Sequence, residues 1–438
     1  MSKIRLLATI VALIAAMPAA VTAQTSRVVT LDEVFDLAEE HSKTLEVGRA
    51  ALREAEAVVT EAKGGRLPEI SLSASASYLG NGLLTDRNFS NAQNIEMPHF
   101  GNNFAVEASQ LIYGGGAVNN AIALARLSEQ MAEINLDDSR SRVRFLLAGF
   151  YLELGKMQNV LEVYDRNVEL AKELIADIRA RSREGVALEN DITRHELRLQ
   201  RLCLARIEVK NAMRILSSEL ATAIGLDPKI DIIPDMRFLE EELPSLDESY
   251  WQELAMEDAH ALRRGELAVA LSERSEKLAR AERRPTVALM AANHFDGPIT
   301  IEVPVLNNNF NYWYVGVGVS FKLSSLYKTN RTIQRHKLAT EHSRRELDDL
   351  REKTTLAIHA DYIHFEEAFE VERTFAKSVE LAKSNYHVID TRYRNDIALV
   401  TDMIDAANQL LDAELQLANA RINIVMRYYK LLETSGQL

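Results

Sequence analysis

From Pro68 the chain alternates between apolar and hydroxyl-bearing positions, with Ile70, Leu72, Ala74, Ala76 and Tyr78 set against Ser71, Ser73, Ser75 and Ser77. Period two predicts a strand over about 68–80 with one greasy and one wet face. Further strands are expected at about 103–113, 286–296 and 311–323. In the last of these Trp313, Val315, Val317, Val319, Phe321 and Leu323 form an unbroken apolar row opposite Gly316, Gly318, Ser320 and Lys322. Such a row is the mark of a membrane barrel strand. A half-buried strand of a soluble sheet would share it.

After the second and fourth strands the period changes. Val143, Leu147, Phe150, Leu154, Met157, Leu161, Tyr164, Val168, Ala171, Ile175 and Ile178 follow one another at spacings of four and three. This is a heptad seam and predicts a long helix packed in the coiled-coil manner. A matching seam runs through Ile358, Phe365, Ala368, Phe375, Val379, Ala382, Tyr386 and Ile389, where Asp361 and Glu372 interrupt it, either facing solvent or lining water. Both seams lie in stretches without proline, residues 99–227 and 305–438. Proline breaks helices, so its absence leaves room for helices far longer than a globular domain holds.

The two seams belong to a duplication. At an offset of 211 positions Val168-Glu169-Leu170-Ala171-Lys172 recurs as Val379-Glu380-Leu381-Ala382-Lys383. The same offset pairs Arg181 with Arg392, Leu188 with Leu399, Asp191 with Asp402 and Gly225 with Gly436. At an offset of 217, Leu45 pairs with Leu262, Arg66 with Arg283 and Pro68 with Pro285. The expected division is a signal peptide at 1–23, a first repeat at 24–225, an equatorial linker at 226–248 and a second repeat at 249–438. Each repeat contains a helix opening on a capped first turn (Thr30 before Asp32 and Glu33 in the first), two strands, a long helix and a returning helix.

The amino terminus sets the compartment. Lys3 and Arg5 precede an apolar run ending near Met17 and Pro18, and Val21 and Ala23 stand where a signal peptidase cuts. About a dozen apolar residues are too few for the ~30 Å core of a bilayer. Cleavage removes two positive charges and no carboxylate, so the mature chain is more negative than the −13 of the full 438 residues. That charge excludes a nucleic-acid binder. The single cysteine, Cys203, excludes an internal disulfide and a cysteine-ligated metal cluster, and it reads as a small packing residue. Four strands are too few to close a barrel on their own, because closure begins at about eight. An exported chain of this kind must share its barrel between copies.

With strands, seams and signal in this order, the sequence resembles the TolC-like outer-membrane efflux proteins over essentially all of the mature chain. Gln110-Leu111-Ile112-Tyr113-Gly114-Gly115 looks like the family's strand-to-helix junction. Tyr393 to Ala406, YRNDIALVTDMIDA, is similar to its helix–helix turn before an Asp-x-x-Asp-Ala stretch, and Ala413 to Arg421 to its returning helix. The implied fold is mainly α with membrane β. Four strands per chain contribute to a trimeric twelve-stranded outer-membrane barrel, continued by a long coiled-coil α-helical periplasmic barrel. The implied function is the outer-membrane exit duct of a tripartite efflux or type I secretion system, passive and gated at its periplasmic tip. The implied partners are two further copies of the chain, outer-membrane lipid, a periplasmic adaptor (membrane-fusion) protein and an inner-membrane pump of the RND, ABC or MFS type. A periplasmic adaptor or a coiled-coil structural protein of the envelope is the other class, and the duplicated strand–helix unit argues against it.

The resemblance also implies site residues. Asp402 and Asp405, three apart on one helix face, stand at the family's gate aspartates; as bare sequence they read equally well as acidic first-turn residues favoured by the helix dipole. Asp191 and Tyr393 match positions that link neighbouring helices in a closed tip. Ala398 stands where a gate arginine is expected, and Arg194, opposite Asp405 in the repeat, is the candidate substitute. The turns carry the expected adaptor contacts Arg181, Gly185, Val186, Leu188, Arg392, Asp396 and Leu399, residues equally at home in an ordinary helical hairpin. Gly114, Gly115 and Gly116 read as a strand-to-helix turn, since the lysine and hydroxyl residue of a phosphate loop are missing. No cofactor or metal is expected, because His359 and His364 have no ligand set around them. No nucleophile and base stand together as in an enzyme.

Overall fold

The computed structural model describes residues 26–185, 188–237, 243–244, 246–302, 305–395 and 397–438. The expected signal segment 1–23 lies outside them, as do Val186 and Asp396. The elements in chain order are β1 (Ser26–Val29), α1 (Leu31–His41), α2 (Lys43–Gly64), β2 (Glu69–Tyr78), β3 (Gly82–Leu84), β4 (Gln93–Ile95), β5 (Phe100–Tyr113), α3 (Ala117–Arg183) and α4 (Glu189–Ala223). There follow β6 (Asp231–Pro234), α5 (Glu248–Asp258), α6 (His260–Ala281), β7 (Thr286–Gly297), β8 (Phe310–Ser320), α7 (Ser325–Arg394) and α8 (Val400–Ser435). The helices α3 and α7 have 67 and 70 residues. The chain divides into two units whose boundaries fall within helices.

One unit comprises Val47–Asp138 and Met256–Thr354. It holds a four-stranded antiparallel sheet of order β2-β5-β7-β8, in which the strands of the two repeats meet as β5 against β7. The pairing registers give the sheet two different faces. Ile70, Leu72, Val106, Leu289, Val315 and Val317 share one, and Ser71, Ser73, Glu107, Ala292, Tyr314 and Gly316 share the other. The apolar face is bare in the single chain, with Leu72 79% and Val317 68% exposed. β2 and β8 are the outer strands and present unpaired backbone along their edges. At the end of β5 the chain enters α3 through Gly115 and Gly116, at φ +65° and +90°. A Cβ on Gly115 would lie 2.7 Å from the Ala281 carbonyl oxygen, and that approach lets Arg284 donate to the Gly115 carbonyl at 3.1 Å. The antiparallel helices α6 and α7 are laced by Glu266 with Arg351 at 3.4 Å and Glu273 with Arg344 at 2.7 Å, seven residues apart on each helix.

The other unit comprises the described part of Met1–Glu46 with Ser139–Ala255 and Thr355–Leu438. Its main core gathers Val29, Val34 and Ala38 against Leu147, Ala148, Tyr151 and Leu154 of α3 and Leu220, Ala221 and Ile224 at the end of α4. The two short strands β1 and β6 pair in parallel. The fully buried Tyr151 hydroxyl lies 2.9 Å from the Val29 carbonyl oxygen and 2.8 Å from that of Asp235, placing one donor against the chain on both sides of this pair. The acids that interrupt the second seam are both engaged by α8: Thr434 donates to Asp361 at 2.7 Å and Arg421 to Glu372 at 3.0 Å. Cys203 packs beside Val168, Ala171 and Leu202. His359 and His364 each meet a carboxylate, of Glu248 at 3.0 Å and Glu367 at 3.2 Å. No helix among the described residues is long and apolar enough to cross a membrane.

Candidate functional site

The helix–helix turns of the two repeats lie in this second unit and are built alike. Leu188 and Leu399 adopt extended backbone and open α4 and α8. Three residues on, an aspartate reaches back to the N–H of that leucine: Leu188 donates to Asp191 at 3.3 Å and Leu399 to Asp402 at 3.1 Å. The first turn of a helix leaves N–H groups without partners and its dipole favours a negative charge there, so one carboxylate serves both needs. Asp402 is therefore a helix-start residue in the single chain, while its side chain remains exposed. Asp405 is exposed on the same helix face one turn later.

Behind the turns lies a small core of Ile178, Ile192, Tyr393 and Met403, flanked by Leu174, Tyr386, Ile389, Ala398 and Val400. Ile178 and Ile389, and Ile192 and Met403, are repeat partners at the offset of 211, so the duplication is also a packing symmetry. Ala398, in the place of an expected arginine, contributes a methyl group to this core. Arg181 breaks the symmetry. Its guanidinium donates to the carbonyls of Tyr393 at 3.4 Å and Arg394 at 3.1 Å, lies 5.1 Å from the centre of the Tyr393 ring and pairs with Asp177 at 3.1 Å. Its partner in the repeat, Arg392, is exposed.

The expected site residues thus separate. Tyr393 is buried with Arg181 turned towards it, and Asp191 is half-buried. Arg194 is exposed on α4, and no ion pair joins it to Asp405 among the described residues. Leu188 and Leu399 are both 70% exposed, as is Ile397 at 71%, so the turns present apolar side chains outward. Gly185 ends α3 at φ +78°.

Two residues went unnoticed in the sequence. His195 is buried, and neither ring nitrogen finds a hydrogen-bond partner. Burial, reinforced by Arg198 and opposed by Asp191, pushes its pKa down to about 4. Arg198 is itself held below the ordinary arginine value by burial, opposed by Tyr386, and two of its guanidinium nitrogens are unbonded. The spacing Asp191, His195, Arg198 places all three on one face of α4, which is the signal that could have found them.

Comparison with known proteins places this geometry. The family model described as outer membrane efflux protein matches residues 34–226. Protein CyaE of Bordetella pertussis is 22% identical over 418 residues, which cover 93% of this chain and 84% of that protein. The outer membrane protein VceC of Vibrio cholerae superposes with a TM-score of 0.76 at 14% identity, covering 93% of this chain and 96% of that one. Over residues 34–226 the chain is similar to that outer-membrane efflux family, and over most of its length it has the fold of outer-membrane channels. The outer membrane efflux protein BepC of Brucella suis is also similar, 22% identical over 341 residues, covering 76% of this chain and 72% of that one. The family and the structural neighbours to which this chain is similar are outer-membrane channels, not enzymes.

Proposed function

We propose that three copies of the chain form a passive exit duct, a twelve-stranded barrel in the outer membrane continued by a periplasmic tube of helices. The carrying observation is the sheet, which has one bare apolar face, one face of hydroxyls and carboxylates, and two open edges. Because each strand is antiparallel to the next, β2 and β8 run in opposite directions. The β2 of a second copy can therefore continue the alternation at β8, and three copies remove every edge. The apolar face then meets lipid and the other face lines water.

At the tip, Asp402 and Asp405 form two rings of three carboxylates at the narrow end, disfavouring anions and binding cations. Asp191, Tyr393 and Arg181 hold the helix ends that carry those rings. The outward Leu188, Ile397 and Leu399, with Gly185, Arg392 and the residues 186 and 396 between them, form the surface for a periplasmic adaptor. Through it the duct joins an inner-membrane pump of the RND, ABC or MFS type that supplies the energy. Reconstitution into planar bilayers tests this reading. Discrete cation-selective conductance steps, reduced by a multivalent cation on the periplasmic side, are expected. Protein that inserts without conducting would contradict the reading.

A further inference from the structure

The water-facing side of the sheet carries chemistry that a plain conduit does not need. The strands β2, β5, β7 and β8 contain no lysine or arginine, while Glu69, Glu107 and Asp296 supply carboxylates to that face. Towards the end of the sheet where β7 turns into β8, three successive rungs across β5, β7 and β8 read Glu107, Ala292, Tyr314; then Ala105, His294, Tyr312; then Asn103, Asp296, Phe310. The rings of these rungs are stacked. His294 lies 5.1 Å from Tyr312 and 6.2 Å from Tyr314, with planes 15° and 13° apart, and Phe310 lies 5.3 Å from Tyr312 at 25°.

Each end of the stack has an acid. Glu107 Oε1 is 3.9 Å from His294 Nε2, and Asp296 accepts from Asn103 at 2.6 Å. Most of the His294 side chain is covered, whereas Phe310, Tyr312 and Tyr314 are each more than a third exposed. The histidine therefore fixes the orientation of rings that remain open to a solute. Ala105 and Ala292 are covered by their larger neighbours, so the array is an open surface and not an enclosing cage.

We propose that this array is a resting site for aromatic organic cations on their way out, with the rings of Phe310, Tyr312, His294 and Tyr314 receiving the π surface and Glu107 and Asp296 the charge. Ring faces attract cations through their quadrupole. The carboxylates, with no lysine or arginine on the strands to offset them, select cations over neutral or anionic aromatics. An open surface holds its ligand weakly, as passage requires. The site rests on the exit-duct reading, in which this face lines the lumen.

The test compares half-blocking concentrations of benzyltrimethylammonium and tetramethylammonium for single channels of the whole protein in planar bilayers. The aromatic cation should block at a concentration about threefold lower, the size of one aromatic ring pair, since both probes share the ammonium. Tyr312→Leu with Tyr314→Leu, which keeps side-chain bulk for folding, should bring the two cations level. Glu107→Gln should weaken block by both, and Asp402→Asn with Asp405→Asn should leave their ratio unchanged. Equal block by both cations in the unaltered channel, or an unchanged ratio in the double leucine variant, would overturn the site while the conductance steps still uphold the duct. Absence of steps would sink both.

Discussion

The Arg181 guanidinium sits 5.1 Å from the centre of the Tyr393 ring and donates to the backbone carbonyl of the same residue at 3.4 Å. With its second bond, to the Arg394 carbonyl at 3.1 Å, it satisfies two of the acceptors that the end of α7 leaves without intrahelical partners. One side chain at the end of α3 thus ties down the end of the corresponding helix of the other repeat.

Arg181→Ala should loosen that tie. Charge-assisted hydrogen bonds and a ring contact together contribute roughly 1–3 kcal/mol. Amide exchange over residues 389–395 should accelerate at least about fivefold, while the amides around Tyr151 keep their protection. Arg181→Lys should restore only part of it, because an ammonium lacks the planar fork that spans two carbonyls and a carboxylate. Unchanged exchange in the alanine variant would show that the tie holds nothing.

Asp402 has a structural role and a proposed electrostatic one, and two substitutions separate them. An asparagine oxygen can still accept from the Leu399 N–H, so Asp402→Asn should keep the start of α8, whereas Asp402→Ala should lose about 1 kcal/mol of it. Both should weaken block of conductance by a multivalent cation, as should Asp405→Asn. If Asp402→Asn leaves block intact while Asp402→Ala frays residues 399–403, the residue is a cap only.

His195 predicts an acid-sensitive tip. Its folded pKa, about 4, lies below the 6.5 of an exposed imidazole, so the unfolded tip binds a proton that the folded tip refuses. Stability from the neutral ring is whole above about pH 6.5 and is lost as pH falls towards 4, at ~1.4 kcal/mol per pH unit. The charges acting on it are Asp191 and Arg198 on its own helix, and Arg198 in turn feels Tyr386, whose phenol is raised by burial and by Asp390. Amide protection over residues 190–199 should fall by about 2 kcal/mol between pH 6.5 and 5. His195→Leu should flatten that dependence, and an equal slope in the variant would assign it elsewhere.

The two faces of the sheet predict opposite tolerances. Val317→Arg places a charge on the face proposed to meet lipid, at a cost of about 2–4 kcal/mol near the midplane of a bilayer, and should abolish recovery from the outer membrane. Ser73→Arg, on the other face, should insert normally and reduce cation selectivity. Equal insertion of both variants would contradict the assignment of faces.

Legibility followed the length over which a pattern repeats. The helices Ala117–Arg183 and Ser325–Arg394 fall within the two proline-free stretches, and the strand Phe310–Ser320 overlaps most of the alternation expected at about 311–323, because a period held over many residues leaves one conformation that buries the apolar positions. Short and distant relationships leave no such trace. Ser26–Val29 and Asp231–Pro234 are four residues each and some two hundred apart, too brief for a period to be read. The inward turn of Arg181 was invisible for a different reason. Its repeat partner Arg392 holds the same place in the last turn, two residues before an arginine in each copy, yet has a different environment, so residue type and spacing alone give both the same outward reading. Asp361 and Glu372 read as breaks in a seam because their partners, Thr434 and Arg421, lie on another helix.

The central claim is that the chain closes only as three copies in the outer membrane. The mass of the protein component in detergent, measured by light scattering on material extracted from the outer-membrane fraction, tests it most directly. A particle of three chains that dissociates to one on heating is the predicted result. A single chain recovered from the soluble periplasmic fraction would contradict the account.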